Sequence, residues 1–219
     1  RLEHVATRVL TADLTRLAAA PGTPALLAAE ASLARRLSVE SELSWCGGER
    51  FAARLRGGTR VIQAKGRGQL KGACFVSGGL GGLGLHAACV VVDMGVSRLV
   101  LSSRSGRIAR DGQGLADTLQ QLCARPSVRV ELLACDVGAG EESMAVLQHV
   151  CCDGDVVLST VLHLAGVGDR GLLTTYEGWR VGYNFGPKAV AAGHLHHGLM
   201  PTALRSFMSY SSISCSLGN

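Results

Sequence analysis

The chain has 219 residues, 47% hydrophobic and 18% charged, which excludes a disordered tail and leaves ample length for a buried core. Glycine reaches 29 residues with no Gly-X-Y period, so the chain is not collagen-like, and 4% aromatics argue against a nucleic-acid stacking platform. The net charge of +5 comes from scattered basic residues and gives no ground for a nucleic-acid partner.

Residues 1–70 read differently from the rest. Leu10 to Leu37 is rich in Ala, Leu and Arg and is interrupted at Pro21-Gly22 and Pro24, which predicts two helical stretches. Leu43-Ser44-Trp45 and Phe51-Ala52-Ala53 flank Gly47-Gly48, a hairpin signal. Gly57-Gly58 and Gly66-Arg67-Gly68 form a flexible join. Two domains are expected: 1–70, the C-terminal part of a structural subdomain with its linker, and 71–219.

From Lys71 onward strands and helices alternate. Strands are expected at Ala73–Val76, Arg98–Leu101, Val128–Leu133, Val156–Leu164 and Ser206–Ser212. Helices are expected at Gly82–Met94, Gly114–Ala124, Glu141–Cys151 and Thr175–His196, the last broken near Gly186-Pro187. This alternation predicts an α/β fold with a Rossmann-like, doubly wound parallel sheet, preceded by a small α+β segment. Near-continuous apolar strands fit a sheet covered on both faces.

The turn Ser77-Gly78-Gly79-Leu80-Gly81-Gly82-Leu83-Gly84 joins the first of these strands to its helix, and Gly79-x-Gly81-x-x-Gly84 fits G-x-G-x-x-G in the context that gives the motif meaning. Glycine permits a tight turn, close approach of backbone to a pyrophosphate, and close packing of helix on strand. The helix N-terminus adds N–H groups and a positive dipole end. At the end of the second strand, NAD-binding folds place a carboxylate for the ribose 2′-hydroxyl. Here Ser102-Ser103-Arg104-Ser105 stands instead, and an Arg with hydroxyls suits a 2′-phosphate, so NADPH is favoured over NADH. The competing reading makes Arg104 a plain surface residue. Asp136, with Val137, ends the third strand; it serves either the adenine or the N-cap of the next helix. Leu164-Ala165-Gly166 ends the fourth strand with small residues on which a cofactor would lie, and His163 reads as a satisfied core histidine.

The eight Cys contain no C-x-x-C pair, so free thiols and a cytoplasmic or other reducing soluble compartment are expected. No apolar stretch reaches about 18 residues and the N-terminus has no apolar h-region, so neither a membrane span nor a signal peptide is expected. His194, His196 and His197 lack acidic or Cys partners at ligand spacing, and no metal site is expected.

Together, Val76–Gly84, Leu99–Gly106, Cys135-Asp136-Val137, His163–Gly166, Gly186-Pro187-Lys188 and Phe207–Ser212 resemble the ketoreductase domain of polyketide and fatty acid synthases, in the short-chain dehydrogenase/reductase superfamily. Ser103–Gly106 and Ser211–Cys215 with Gly218-Asn219 look especially like the animal fatty acid synthase type, and the Trp45–Leu55 hairpin resembles the strands preceding such reductases. The resemblance implies NADPH-dependent reduction of a β-ketoacyl thioester, carried on the phosphopantetheine of an acyl carrier protein, within a multidomain synthase. It assigns Lys188 and Ser212 to the family's catalytic Lys and Ser. The family's Tyr and Asn would fall beyond Asn219, so the chain is expected to be truncated before its proton donor and inactive alone. Gly168-Asp169-Arg170 stands where one stereochemical class has Leu-Asp-Asp, and no Trp lies near Leu217, so the resemblance leaves the product's hand open. The competing readings are a non-catalytic reductase-like scaffold module and a stand-alone short-chain reductase.

Overall fold

The computed structural model describes residues 11–13, 42–46, 49–52, 69–110, 112–152, 156–168 and 176–212. The chain divides into a first unit from Arg1 to Gln63 and a second from Ala64 to Gly218.

In the first unit, β1 (Thr11–Asp13) pairs parallel with β2 (Glu42–Cys46), which pairs antiparallel with β3 (Glu49–Ala52). Cys46 stands opposite Glu49, so the expected hairpin forms. The helical expectation from Leu10 fails at Thr11–Asp13, where pairing with Glu42–Ser44 overrides a helix-favouring composition. The rest of that stretch and the glycine-rich join lie outside the described residues.

The second unit is built on five parallel strands in the order β6-β5-β4-β7-β8. They are β4 (Ala73–Ser77), β5 (Arg98–Ser103), β6 (Arg129–Ala134), β7 (Leu158–His163) and β8 (Ser206–Ser209). Helices α1 (Gly82–Asp93), α2 (Leu115–Cys123) and α3 (Gly140–Cys152) fill the crossovers. The last crossover holds α4 (Gly178–Phe185), a π-helical turn (Gly186–Val190) and α5 (Ala191–Leu199). This is the expected doubly wound sheet.

Side chains of β4 alternate between two cores. Ala73 and Phe75 join Val146, Leu147 and Val150 of α3 and Leu195 of α5. Cys74 and Val76 join Leu85, Ala88 and Val92 of α1 and Leu122 of α2. All five residues of β4 are therefore buried, as a central strand covered on both faces requires.

Two expected elements differ from what forms. The last strand stops at Ser209 rather than Ser212, because ladder pairing with β7 ends at His163–Ser209; Tyr210 is thus one residue beyond it. The helix around Gly186-Pro187 does not break: it widens into π geometry, which accommodates the N–H that Pro187 lacks.

Candidate functional site

The chain order changes direction across β4. Strands β5 and β6 extend to one side of it and β7 and β8 to the other. In an open α/β sheet, ligands bind at the carboxyl ends of the strands where the order reverses. A cavity of about 500 Å³ lies there, lined by the turn after β4, by Ser102 to Ser105 with Arg107, by Cys135-Asp136-Val137, and by Leu164 to Val167 with Pro187.

The turn after β4 is shaped by backbone limits. Gly78 has φ +72°, and a Cβ there would lie 2.6 Å from the Ala165 nitrogen, so the turn passes directly under the end of β7. A Cβ at Gly84 would collide with the Gly78 carbonyl, which makes Gly84 the point where α1 packs against the turn. Helix α1 starts from Gly81 with no side-chain cap and no acidic residue in its first turn. The N–H groups of Gly82, Leu83 and Gly84 have no partner within the helix, and these residues line the cavity. The positive end of the helix thus faces the cavity uncompensated by a carboxylate.

Of the residues singled out in the sequence, the cavity wall contains Gly78, Gly81, Gly82, Leu83, Gly84, Ser103, Arg104, Asp136, Val137, Leu164, Ala165 and Gly166. Ser77, Gly79 and Leu80 are not in it. The Ser77 hydroxyl is spent on His163, Leu80 is fully buried, and Gly79 sits against Val76 and Leu101. Asp136 does not cap α3 as an N-cap residue: its Oδ1 accepts the Gly138 N–H at 2.9 Å, and its own N–H donates to Glu142 at 2.8 Å. This closes the β6–α3 turn on itself.

Ser102 and Ser105, read in the sequence with Arg104 as hydroxyls suited to a phosphate, also line the cavity; Cys135 and Pro187 stood there only within motif segments, and sequence reasoning missed Arg107, Ala109 and Val167 as wall residues. Arg107 was within reach, being one basic residue further along the same loop. The loop is self-bonded: the Ser103 hydroxyl donates to the Arg107 carbonyl, and Ser105 Oγ accepts the Arg107 N–H. Arg104 and Arg107, from one short loop, both line the cavity. Arg104 is exposed and stands 6.0 Å from the Tyr183 ring centroid. The Ser102 hydroxyl is buried at the wall with no hydrogen-bond partner among the described residues.

Lys188 and Ser212 are brought to the same end of the sheet by different means. Pro187 reaches the cavity, and the side chain of Lys188 lies across Gly166, where a Cβ would be 2.6 Å from Lys188 Cε. Ser212 is exposed; the Tyr210 N–H donates to the His163 carbonyl at 3.0 Å, holding its segment beside the end of β7. His163 is 3% exposed and fully bonded, as expected of a core histidine. His194 and His197 lie near the Val137 and Gly193 carbonyls respectively, so each ring has a backbone partner. Asp169, Arg170 and Leu217 lie outside the described residues.

A parallel sheet with a glycine turn, an uncapped helix N-terminus and a strand-end cavity defines a dinucleotide-binding α/β protein. The KR domain family model matches residues 72–219. Polyketide synthase GfsB of Streptomyces halstedii is 37% identical over 149 residues, 68% of this chain and 3% of that protein. Among solved structures, an A1-type ketoreductase aligns with TM-score 0.70 at 30% identity, covering 85% of this chain and 38% of that one. A-type ketoreductases from a modular polyketide synthase align with TM-score 0.71 at 28% identity, covering 91% and 41%. The chain belongs to the KR domain family, the ketoreductases of polyketide synthases within the short-chain dehydrogenase/reductase superfamily. The chain spans only a small part of the curated relatives it matches and about two fifths of the ketoreductase structures. The relative named here is a polyketide synthase, so that side of the expected resemblance is supported more directly than the fatty acid synthase side. Among the described residues no helix is long and apolar enough to cross a membrane.

Proposed function

We propose that the chain is the NADPH-binding part of a 3-oxoacyl thioester reductase, acting on a β-ketoacyl chain tethered to an acyl carrier protein. The observation that carries this reading is the convergence of three features on one strand-end cavity. These are the glycine turn with the bare helix end, the Arg104 and Arg107 pair, and Lys188 lying across Gly166.

The residues present fit a dinucleotide carrying a 2′-phosphate. The α1 N-terminus suits the pyrophosphate. Arg104 and Arg107, with no carboxylate beside them in the Ser103–Arg107 loop, suit the extra phosphate. The orphaned Ser102 hydroxyl marks a polar wall atom that a ligand would satisfy. When bound, the nicotinamide supplies the hydride that reduces the ketone. Lys188, by the family likeness, lowers the pKa of the proton-donating group, and Ser212 donates a hydrogen bond to the ketone oxygen as negative charge develops there. The chain's place beside other synthase domains belongs to the same reading, as does the division into a structural segment before residue 71 and a reductase domain after it.

Two experiments test it in the protein that carries this chain. Lys188→Ala should reduce kcat for a β-ketoacyl thioester by about 10²-fold or more; unchanged turnover removes Lys188 from the mechanism. Arg104→Ala should weaken NADPH binding by about 10-fold or more while changing NADH binding little, because a charged hydrogen bond to phosphate is worth roughly 1.5–3 kcal/mol. Equal losses for both cofactors would refute the 2′-phosphate assignment.

A further inference from the structure

His163 ends β7, is 3% exposed, and has no part in the cavity wall or in the chemistry assigned above. Its ring nevertheless joins two segments that matter to that chemistry. Nδ1 lies 2.6 Å from the Ser77 hydroxyl, at the end of β4 where the glycine turn begins. Nε2 lies 3.0 Å from the carbonyl oxygen of Lys188. A carbonyl only accepts, so Nε2 carries the hydrogen. In a neutral imidazole Nδ1 is then the acceptor, and the Ser77 O–H donates to it. Burial lowers the His163 pKa; the hydrogen bond to the Lys188 carbonyl opposes this and the Lys188 charge adds to it.

The Lys188 carbonyl sits in the π-helical turn Gly186–Val190. The Ala191 N–H is shared between the carbonyls of Gly186 and Lys188. The Lys188 carbonyl thus takes a second donor from outside the helix, the His163 ring. Single π-helical turns of this kind are uncommon and concentrate at functional positions. The side chain of the same lysine rests on Gly166, three residues past His163. Backbone and side chain of Lys188 are therefore both held by the end of β7.

We propose that His163 is a positioning residue. Its Nε2–H clamps the Lys188 carbonyl while Ser77 fixes the ring, so that the glycine turn and the lysine-bearing π-helical turn keep one geometry. The role rests on the reading of Lys188 given under Proposed function and is exerted through that lysine, not on the substrate.

The test uses His163→Phe, His163→Gln, Ser77→Ala and Lys188→Ala in the protein that carries this chain, with a β-ketoacyl thioester and NADPH. Phe fills the ring's space and removes both hydrogen bonds; Gln keeps an amide N–H at similar reach. His163→Phe should lower kcat by about 30-fold or more while the thioester KM and the NADPH Kd stay within about 3-fold, since misplacing a reacting group by about 1 Å can cost 10²-fold. His163→Gln should recover most of the loss, and Ser77→Ala should lower kcat by about 5-fold with KM unchanged. If His163→Phe does not fold, the decision falls to His163→Gln and Ser77→Ala: an unchanged kcat in Ser77→Ala then overturns the proposal. Loss of kcat with an equal change in KM and Kd marks a merely structural role and overturns it too. So does unchanged kcat in His163→Phe when Lys188→Ala is impaired. Unchanged kcat in Lys188→Ala instead overturns the function reading itself.

Discussion

Gly78 and Gly112 show how two glycines of the same backbone class differ in what they do. Gly78 has φ +72° and Gly112 φ +76°, so both sit where an L side chain is strained. At Gly112 a Cβ would meet nothing within 4 Å; at Gly78 it would meet the Leu164–Ala165 backbone at 2.6–2.8 Å. Gly112→Ala should therefore cost about 1–2 kcal/mol, the left-handed penalty alone. Gly78→Ala should cost roughly 2 kcal/mol more, because backbone cannot swing aside as a flexible side chain can. Urea unfolding of both variants checks this, and losses equal within about 0.5 kcal/mol would contradict the close approach of the turn to β7. The motif spelling starts at Gly79, but the positive φ falls one residue earlier, on Gly78. Spacing cannot resolve that in a run where glycines stand side by side.

At the level of elements, β6 is organised around one carboxylate. Glu131 accepts from Arg98 at 2.9 and 3.2 Å, from His149 of α3 at 2.9 Å, and pairs with Arg129 at 3.1 Å. Arg98 is 2% exposed and also donates to the Val150 carbonyl, so this cluster pins the end of α3 to β5 and β6. Hydrogen bonding from Arg98 is the largest cause of a Glu131 pKa lowered to about 2 from 4.5; burial opposes it, and bonding to His149 and the charges of Arg98 and Arg129 reinforce it. A depressed carboxylate contributes stability that is complete above its unfolded value and disappears as pH falls towards its folded value. Glu131→Gln should cost about 2 kcal/mol at pH 7, leaving the buried Arg98 without its charged partner. The gap between the two proteins should narrow as pH drops from about 4.5 to about 2. A gap independent of pH across that window, measured by denaturant titration, would show that the charge of Glu131 is not what stabilises the cluster.

For the whole molecule, the parallel sheet of the second unit separates two cores that do not share residues. Val91 of α1 belongs to one and Val146 of α3 to the other. Each Val→Ala change removes about 1.5–2 kcal/mol of buried methyl groups. Because the sheet lies between them, the double variant should lose the sum within about 0.5 kcal/mol. A coupling above 1 kcal/mol in a double-mutant cycle would mean that the sheet transmits strain between its faces.

The amino-acid order alone determined the strand–helix alternation, the parallel sheet, the glycine turn and the family, since each rests on local period or on motifs within about ten residues. It also marked most residues of the cavity wall, because strand ends are local features and a doubly wound sheet collects them at one edge. Only the tertiary structure decided the pairing that turns Thr11–Asp13 into a strand, the π-helical turn at Pro187, and the place where β8 stops. It alone brought Ser77, His163 and Lys188, far apart in the chain, into one hydrogen-bonded set. Those outcomes depend on which buried donor meets which acceptor across elements, a requirement that no local pattern carries.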